Sequence, residues 1–437
     1  MIRRLVTLCL LPLLLANPLR AEIAIQEVTS PAGIKAWLVE EHAIPFTALE
    51  IRFGGGSALD DPAKRGAVHL MTALLEEGAA EMNAQKFAES RDALAADFRF
   101  DSGMDTVSVS ARMLTENRSK AVELLRLALV HPRFDQDAVD RVRGQVLAGI
   151  RAGRKDPGTL ASETFNRLAF GDHPYGQAAE GTEDSVAGLT RDDMLAAHKG
   201  ALSRDRLYIS AVGDITGEEL GALLDHLLGE LPATGAPLPG MAAVGLTGGV
   251  TVEPFPTPQA VVMFGHEGIP RDDPDYVPAY VLNEIVGGSR FGSRLMTELR
   301  EKRGLTYGVG SYLVDYEQAD LVMGQMATAN GTAKQAVDLL QSEWARAAEG
   351  VTQAELDAVK TYLTGAYALR FDSNRAIAGV LVGMQMAGYG TDYPAKRNAL
   401  IEAVTLEDIA RVAKRLYRPD ALRFVVVGEP EGLVSTP

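Results

Sequence analysis

The chain has 437 residues, 46% of them hydrophobic and 23% charged, a globular composition too long for one compact core. Its 58 acids outweigh 43 bases for a formal charge of −15, which argues against a broad electrostatic grip on nucleic acid phosphates. A single cysteine, Cys9, excludes a disulfide framework and a thiolate metal cluster, so any metal would rest on His and carboxylate ligands.

At the N-terminus, Arg3 and Arg4 precede an apolar run from Leu5 to Ala16, followed by Asn17, Pro18 and the small Ala21. This is the pattern of a secretory signal peptide, residues 1–21. A spanning helix needs about 20 apolar residues, and this run is short and broken by Pro12. Lipid attachment at Cys9 requires a small residue before it, and Leu8 stands there. Cleavage after Ala21 removes three Arg and no acid, leaving 40 bases, 58 acids and a net −18. The mature chain is expected to be exported and periplasmic, without a stable membrane anchor, since no later stretch offers 18 consecutive apolar residues.

Further along, alternation and turn residues predict strands over 23–29, 34–40 and 46–53, separated at Pro31-Ala32-Gly33 and near Pro45. Helical periodicity covers 66–77, 84–96, 116–130 and 135–152, with strands at 98–102 and 105–112 between. Strand runs mixed with helix pairs define an α+β class, a mainly antiparallel sheet with helices on one face. The second half is expected to repeat that order.

A charge-free, Pro/Gly-rich stretch from Pro232 to Gly249 reads as a linker. It separates a first-half domain, 22–231, from a second, 250–437. Residues 189–215 align without a gap on 404–430, matching Thr190 to Thr405, Asp193 to Asp408 and Gly213 to Gly428. Each copy is a Thr-capped amphipathic helix, a turn, an apolar strand and a Gly that ends it. Phe53 through Asp60-Asp61-Pro62 is echoed by Phe264 through Asp272-Asp273-Pro274. A spacing of about 210 residues marks a duplicated domain rather than a solenoid repeat.

In the first half, the Gly54-Gly55-Gly56 loop and an Asp-Pro turn lead into a helix beginning Gly66-Ala67-Val68-His69-Leu70-Met71-Thr72-Ala73. Here the chain resembles the pitrilysin/insulinase family of zinc peptidases, the inverzincins, whose helix carries His-x-x-Glu-His. That motif puts two imidazoles on one helix face at i and i+4, with the Glu as base on zinc-bound water. His69 matches the first His, but Thr72 stands in place of the Glu and Ala73 in place of the second His. The family's third ligand, a downstream Glu, falls at Ala148 or Gly149, neither of which binds zinc. Asp140 lies more than two helical turns from Gly149. One imidazole does not recover the roughly 10 kcal/mol or more that a full zinc ligand set supplies. The resemblance thus implies no metal in this chain.

The other histidines, His42, His131, His173, His198, His226 and His266, include no i, i+4 pair. His173, in a Gly-Asp-His-Pro-Tyr turn, is read as packing or capping, and His266 as part of a strand-end loop. The chain also carries no G-x-S-x-G elbow, P-loop or dinucleotide fingerprint.

A second constellation is complete. Gly287-Gly288-Ser289-Arg290-Phe291-Gly292 leads into a helix that Gly304 ends, after which Leu305, Tyr307, Val309 and Ser311 alternate along a strand. A helix end and its returning strand can set Arg300 and Tyr307 on one wall, a fixed cation and a phenol suited to a peptide carbonyl. The plain alternative is a helix C-terminal cation and a half-buried strand tyrosine. The segment resembles the second-half signature of the same peptidase family, in which an Arg and a Tyr seven residues apart reach across a closed chamber to substrate at the zinc site. The run at 287–292 is similar, in shortened form, to the substrate-handling loop of the non-catalytic mitochondrial-processing subunit, which makes Gly287, Gly288 and Ser289 candidate substrate-binding residues.

Bacterial members of this family include two-chain enzymes, one chain carrying the zinc motif and the other the Arg/Tyr pair, closing like a clamshell. The resemblance implies a zinc-free subunit whose homologous partner supplies zinc, three ligands and the Glu base, acting on unfolded peptides held as an added strand. The rival reading is an inactive peptide-binding or structural clamshell.

Overall fold

A computed structural model describes residues 23–436. The signal-peptide expectation for 1–21 lies outside the described residues. Two separate sheets carry the chain, built from corresponding strands.

The first sheet begins with β1 (Gln26–Thr29), β2 (Lys35–Glu40) and β3 (Phe46–Gly54). A two-residue ribbon, β4 (Gly78–Ala79) with β5 (Met82–Asn83), stands apart. The hairpin β6 (Asp97–Ser102) and β7 (Thr106–Leu114) and the later β8 (Leu207–Gly213) complete the sheet in the order β1-β2-β8-β3-β7-β6. The second sheet comprises β9 (Gly249–Pro254), β10 (Gln259–Glu267), β11 (Thr306–Tyr316), β12 (Ala319–Ala329) and β13 (Arg423–Gly428), ordered β11-β12-β10-β13-β9. Apart from β1, the orders mirror each other, and each sheet has one parallel pair, β2 with β8 and β9 with β13. The second half therefore does not repeat the first in full. Where β1 would lie, the C-terminal tail covers the outer edge of β9: Val250 N donates to Thr436 Oγ1 at 2.9 Å and Val252 N to Ser435 Oγ at 2.9 Å.

Helices of the first half are α1 (Ala67–Ala73), α2 (Ala84–Ala93), α3 (Arg118–Val130), α4 (Gln136–Gly153), α5 (Pro157–Phe170), α6 (Glu183–Ala187), α7 (Arg191–Ala201) and α8 (Gly217–Leu228). Those of the second are α9 (Tyr276–Val286), α10 (Ala333–Ala348), α11 (Gln353–Ala366), α12 (Asn374–Met386), α13 (Tyr393–Ala403) and α14 (Leu406–Leu416). The duplicated Thr residues do the same work in both copies. Thr190 and Thr405 each accept from the backbone N–H three residues on, while Asp193 and Asp408 reach back to close a capping box. In α14, Ile409, Val412, Ala413 and Leu416 fall on one buried face at helical spacing. The helix expected over 66–77 ends at Ala73, because the next bonds, Leu74 N to Met71 O and Leu75 N to Thr72 O, tighten the turn and stop it.

Alternation along β3 sends Leu49, Ile51 and Phe53 into a core with α1, α3 and α4, and Ala48 to the opposite face. Over β2, β3 and β8 that opposite face is covered as well. It is covered by α12, from the other half of the chain: Ala378, Leu381 and Met384 pack on Trp37, Ala48 and Val212, and Ser210 Oγ donates to Ala378 O at 2.7 Å. Reciprocally, α5 lays Ala161, Phe165 and Ala169 on Met263, Val425 and Val427 of the second sheet. A side chain at Gly265 would place its Cβ 2.9 Å from the Phe165 ring, so glycine lets the exchanged helix sit close. The central strands of each sheet are thus buried on both faces, once by their own helices and once by a helix from the other half, while Arg99 and Arg112 at one edge of the first sheet and Tyr307 and Tyr312 on β11 stay exposed.

Residues 232–248 bridge the halves without regular structure. Ala242, Val244 and Leu246 pack into the α5 contact, Gly245 N donates to Ala169 O at 2.7 Å and Ala242 N to Gln318 O at 2.8 Å. Among the described residues no helix is long and apolar enough to cross a membrane.

Candidate functional site

The segment after α9 is bent back onto β11 by a buried polar pair. Asn283 Nδ2 donates to Ser311 O at 2.9 Å, Ser311 Oγ donates to Asn283 Oδ1 at 2.7 Å, and Ser311 N donates to Gly287 O at 2.7 Å. A Cβ at Gly287 would lie 2.0 Å from Ser311 Oγ, and one at Gly288 2.4 Å from the Glu284 carboxylate. Both glycines are therefore required by close approach. Arg294, 7% exposed, then fixes the chain by a two-pronged pair with Glu355, Nε to Oε1 at 2.6 Å and Nη2 to Oε2 at 2.9 Å. This pairing holds the Glu355 carboxyl down at about 2.

Beyond Leu295 the chain winds as one π-helical turn, Met296–Glu301, with Lys302 N bonded to Thr297 O. Gly304, at φ +63°, closes it, its N–H donating to Arg300 O at 2.9 Å while Leu305 N reaches Leu299 O at 2.8 Å. The following strand does not simply alternate, contrary to the sequence expectation. Its register against β12 slips between Thr306 and Val309, so Tyr307 and Gly308 together oppose one residue. Thr306 Oγ1 pins this bulge, donating to Ala327 O at 2.7 Å and accepting from Gly308 N at 3.1 Å. A bulge re-aims the side chain it carries, and Tyr307 is 89% exposed while Thr306 and Val309 are buried.

Arg300 and Tyr307 come together at this turn. The Arg300 Cζ lies 5.3 Å from the Tyr307 ring centre and 4.7 Å from that of Phe291, itself 63% exposed. The neighbouring cations Lys302 and Arg303 are tied to Glu298 at 2.7 Å each, whereas Arg300 makes no ion pair among the described residues. Two aromatic faces orient the guanidinium and leave its N–H groups for an acceptor. Gly308, next to Tyr307 in the chain, lines a cavity of about 530 Å³ together with Gly287, Ser289, Gly310 and Gln325. Phe291 is the residue that sequence reasoning missed; it stands nine positions before Arg300, a spacing that no helix or strand period marks.

In the first half, α1 is seated by Asp60, which accepts from Gly66 N at 2.8 Å and Val68 N at 2.9 Å. Burial pushes its carboxyl up to about 6 despite those bonds. On α1, His69 Nδ1 is 3.0 Å from Ser102 Oγ, and burial lowers its pKa. Thr72 Oγ1 donates to Val68 O at 2.8 Å, Ala73 offers no donor atom, and Ala148 and Gly149 lie exposed on α4. These side chains do not fit a zinc ion, because one imidazole is the whole donor set at the motif positions. Among the described residues no three His, Cys, Asp or Glu side chains are placed to share a metal.

His173 accepts from Tyr175 N at 3.2 Å and bonds Gly240 O at 3.0 Å, capping a turn and holding the linker. His266 corrects the loop expectation. It lies inside β10, fully buried, accepting from Trp344 Nε1 at 3.0 Å and donating to Glu267 O at 2.7 Å.

Two mirrored sheets with exchanged helices, and a first-half helix that keeps one of the zinc-motif residues, define a member of a duplicated peptidase class. The family model "Insulinase (Peptidase family M16)" matches residues 36–183 and "Peptidase M16 inactive domain" matches 188–363. A crystal structure of a peptidase M16 inactive domain from Pseudomonas fluorescens is 30% identical, with a TM-score of 0.87, covering 94% of this chain and all of that one. The "Non-peptidase homolog YmxG" of Helicobacter pylori is 26% identical over 94% of this chain and 95% of its own. The "Uncharacterized zinc protease YmxG" of Bacillus subtilis is 24% identical over 91% of this chain and 96% of its own. The chain belongs to peptidase family M16, the insulinase family.

Proposed function

We propose that this chain is the zinc-free subunit of an exported two-chain M16 endopeptidase that degrades unfolded peptides. A homologous partner carries the zinc, its three ligands and the Glu base. This chain contributes Arg300 and Tyr307 to the substrate carbonyl, and Gly287, Gly288 and Ser289 to the wall along which the peptide lies. The observation that carries the reading is an Arg300 with no ion pair among the described residues, its guanidinium over the Phe291 and Tyr307 rings, in a chain whose own metal positions are Thr72, Ala73 and Gly149.

A guanidinium and a phenol aimed at a developing oxyanion act only where a nucleophile is delivered, so the chain alone is inactive by this mechanism. The test is reconstitution with a zinc-motif homologue. The Arg300→Ala variant lowers peptide turnover of the mixture roughly 10²-fold, the scale of one oxyanion donor. Undiminished turnover overturns the assignment, and EDTA-sensitive cleavage by the isolated chain overturns the division of labour.

A further inference from the structure

Half of the chain's 12 tyrosines line one cavity that the Arg/Tyr site does not use. Tyr276, Tyr280, Tyr312, Tyr367, Tyr389 and Tyr393 enclose about 620 Å³ between α9, β11, α12 and α13. Tyr389 and Tyr393 stack face to face at 3.9 Å. The wall opposite is the exchanged helix α12, whose Gly379 and Gly383 line the space while Ala378 and Leu381 pack on the first sheet. A Cβ at either glycine would meet nothing within 4 Å. Backbone packing does not call for glycine at these helix-interior positions, where it is a poor helix former; their effect is to keep the wall open.

The cavity also holds two guanidinium groups that lack a direct ion pair among the described residues, with Glu284 near enough to feel both. Arg397 is 7% exposed, yet no carboxylate pairs with it among the described residues. Its Nη1 donates to Leu363 O at 3.1 Å and Asn398 Oδ1 at 3.2 Å, and its Cζ lies 4.3 Å from the Tyr367 ring centre. Arg370, exposed, lines the same space and makes no ion pair among the described residues. The third cation, Arg271, is neutralised by Asp315. Glu284 is the one carboxylate among the lining residues, and it stands with Tyr312 where this cavity adjoins the one lined by Gly287 and Ser289.

A buried guanidinium without a directly paired carboxylate favours an incoming anion, and aromatic walls favour an apolar body beside it. We propose that this cavity seats the C-terminal carboxylate and last apolar side chain of a peptide running along the Gly287 loop, the carboxylate on Arg397 and Arg370 and the side chain among the tyrosines. The inference rests on the peptide-handling reading for the source of that carboxylate.

The test uses the full chain without a partner and follows the fluorescence anisotropy of a short N-terminally labelled peptide ending in Phe. The free acid binds roughly tenfold tighter than the C-terminal amide, and Arg370→Ala removes that difference. Gly383→Phe fills the space and abolishes binding while its melting temperature is unchanged or higher. Equal affinity for acid and amide, no binding of either, or binding unaffected by Gly383→Phe overturns the proposal. Competition by 3-phenylpropionate as strong as that of the unlabelled peptide overturns the peptide source. If acid-selective binding holds but the two-chain mixture cleaves nothing, the catalytic reading alone falls; if cleavage holds without acid-selective binding, this inference alone falls.

Discussion

Asn283 and Ser311 exchange two hydrogen bonds, Nδ2 to the Ser311 carbonyl at 2.9 Å and Ser311 Oγ to Oδ1 at 2.7 Å, and so fasten the end of α9 to the strand that carries Tyr307. Asn283 is 2% exposed, so removing it leaves buried partners unsatisfied. The Asn283→Ala variant is expected to lose about 2–3 kcal/mol in denaturant unfolding. Its protease sensitivity should rise first between residues 287 and 292, the loop this pair holds.

The Phe291 ring centre lies 4.7 Å from the Arg300 guanidinium carbon. Losing one cation–π face forfeits about 0.5–1 kcal/mol of positioning. Phe291→Ala should therefore lower turnover of the reconstituted pair by only a few fold, against roughly 10²-fold for Arg300→Ala. A loss as large as that of Arg300→Ala would mean that Phe291 itself contacts substrate.

His266 is held neutral in the second core, its pKa pushed down to about 4 by burial, with Arg418 acting in the same direction. The unfolded chain takes up the proton near 6.5, the folded chain only near 4, so this contribution to stability is present above pH 6.5 and is lost as pH falls through that window. The loss amounts to roughly 3 kcal/mol. Asp60 and Asp320, both raised to about 6 by burial, act with the opposite sign over part of this range. The measurement is therefore a difference: His266→Gln, which keeps an acceptor for Trp344, should show a flatter fall in unfolding free energy between pH 6.5 and 4 than the parent chain.

His69 bonds Ser102 and has no second ligand at the motif positions. His69→Ala should leave the zinc content of the purified chain unchanged by elemental analysis. Stoichiometric zinc that this variant releases would contradict the reading of α1.

Deleting residues 435–437 strips Val250 N and Val252 N of their acceptors on the β9 edge. A cost of about 1–2 kcal/mol is expected. An uncovered edge strand also pairs with other chains, so light scattering should show concentration-dependent association that the full chain lacks.

Much of this architecture was legible in local patterns. The Thr/Asp capping boxes at 190 and 405 and the apolar spacing of α14 fix helix starts and faces within a few residues, and the duplication follows from comparing the chain with itself. The exchange of α5 and α12 was not legible. An apolar stripe says that a helix must be covered, and it carries no information on which of two similar sheets will cover it. The exposure of Tyr307 depended on a bulge, which is a mismatch between two paired strands and has no signature in either alone.

The sequence by itself determined the elements, the twofold repetition, the loss of the zinc ligands and the presence of Arg300 and Tyr307, because these depend on residue identity and short-range spacing. Tertiary structure decided that Phe291 stacks on Arg300, that the tail closes the β9 edge, and that α12 walls a tyrosine-rich cavity beside the glycine loop. Those contacts join residues far apart in the chain, and only the packing of whole elements selects which of them meet.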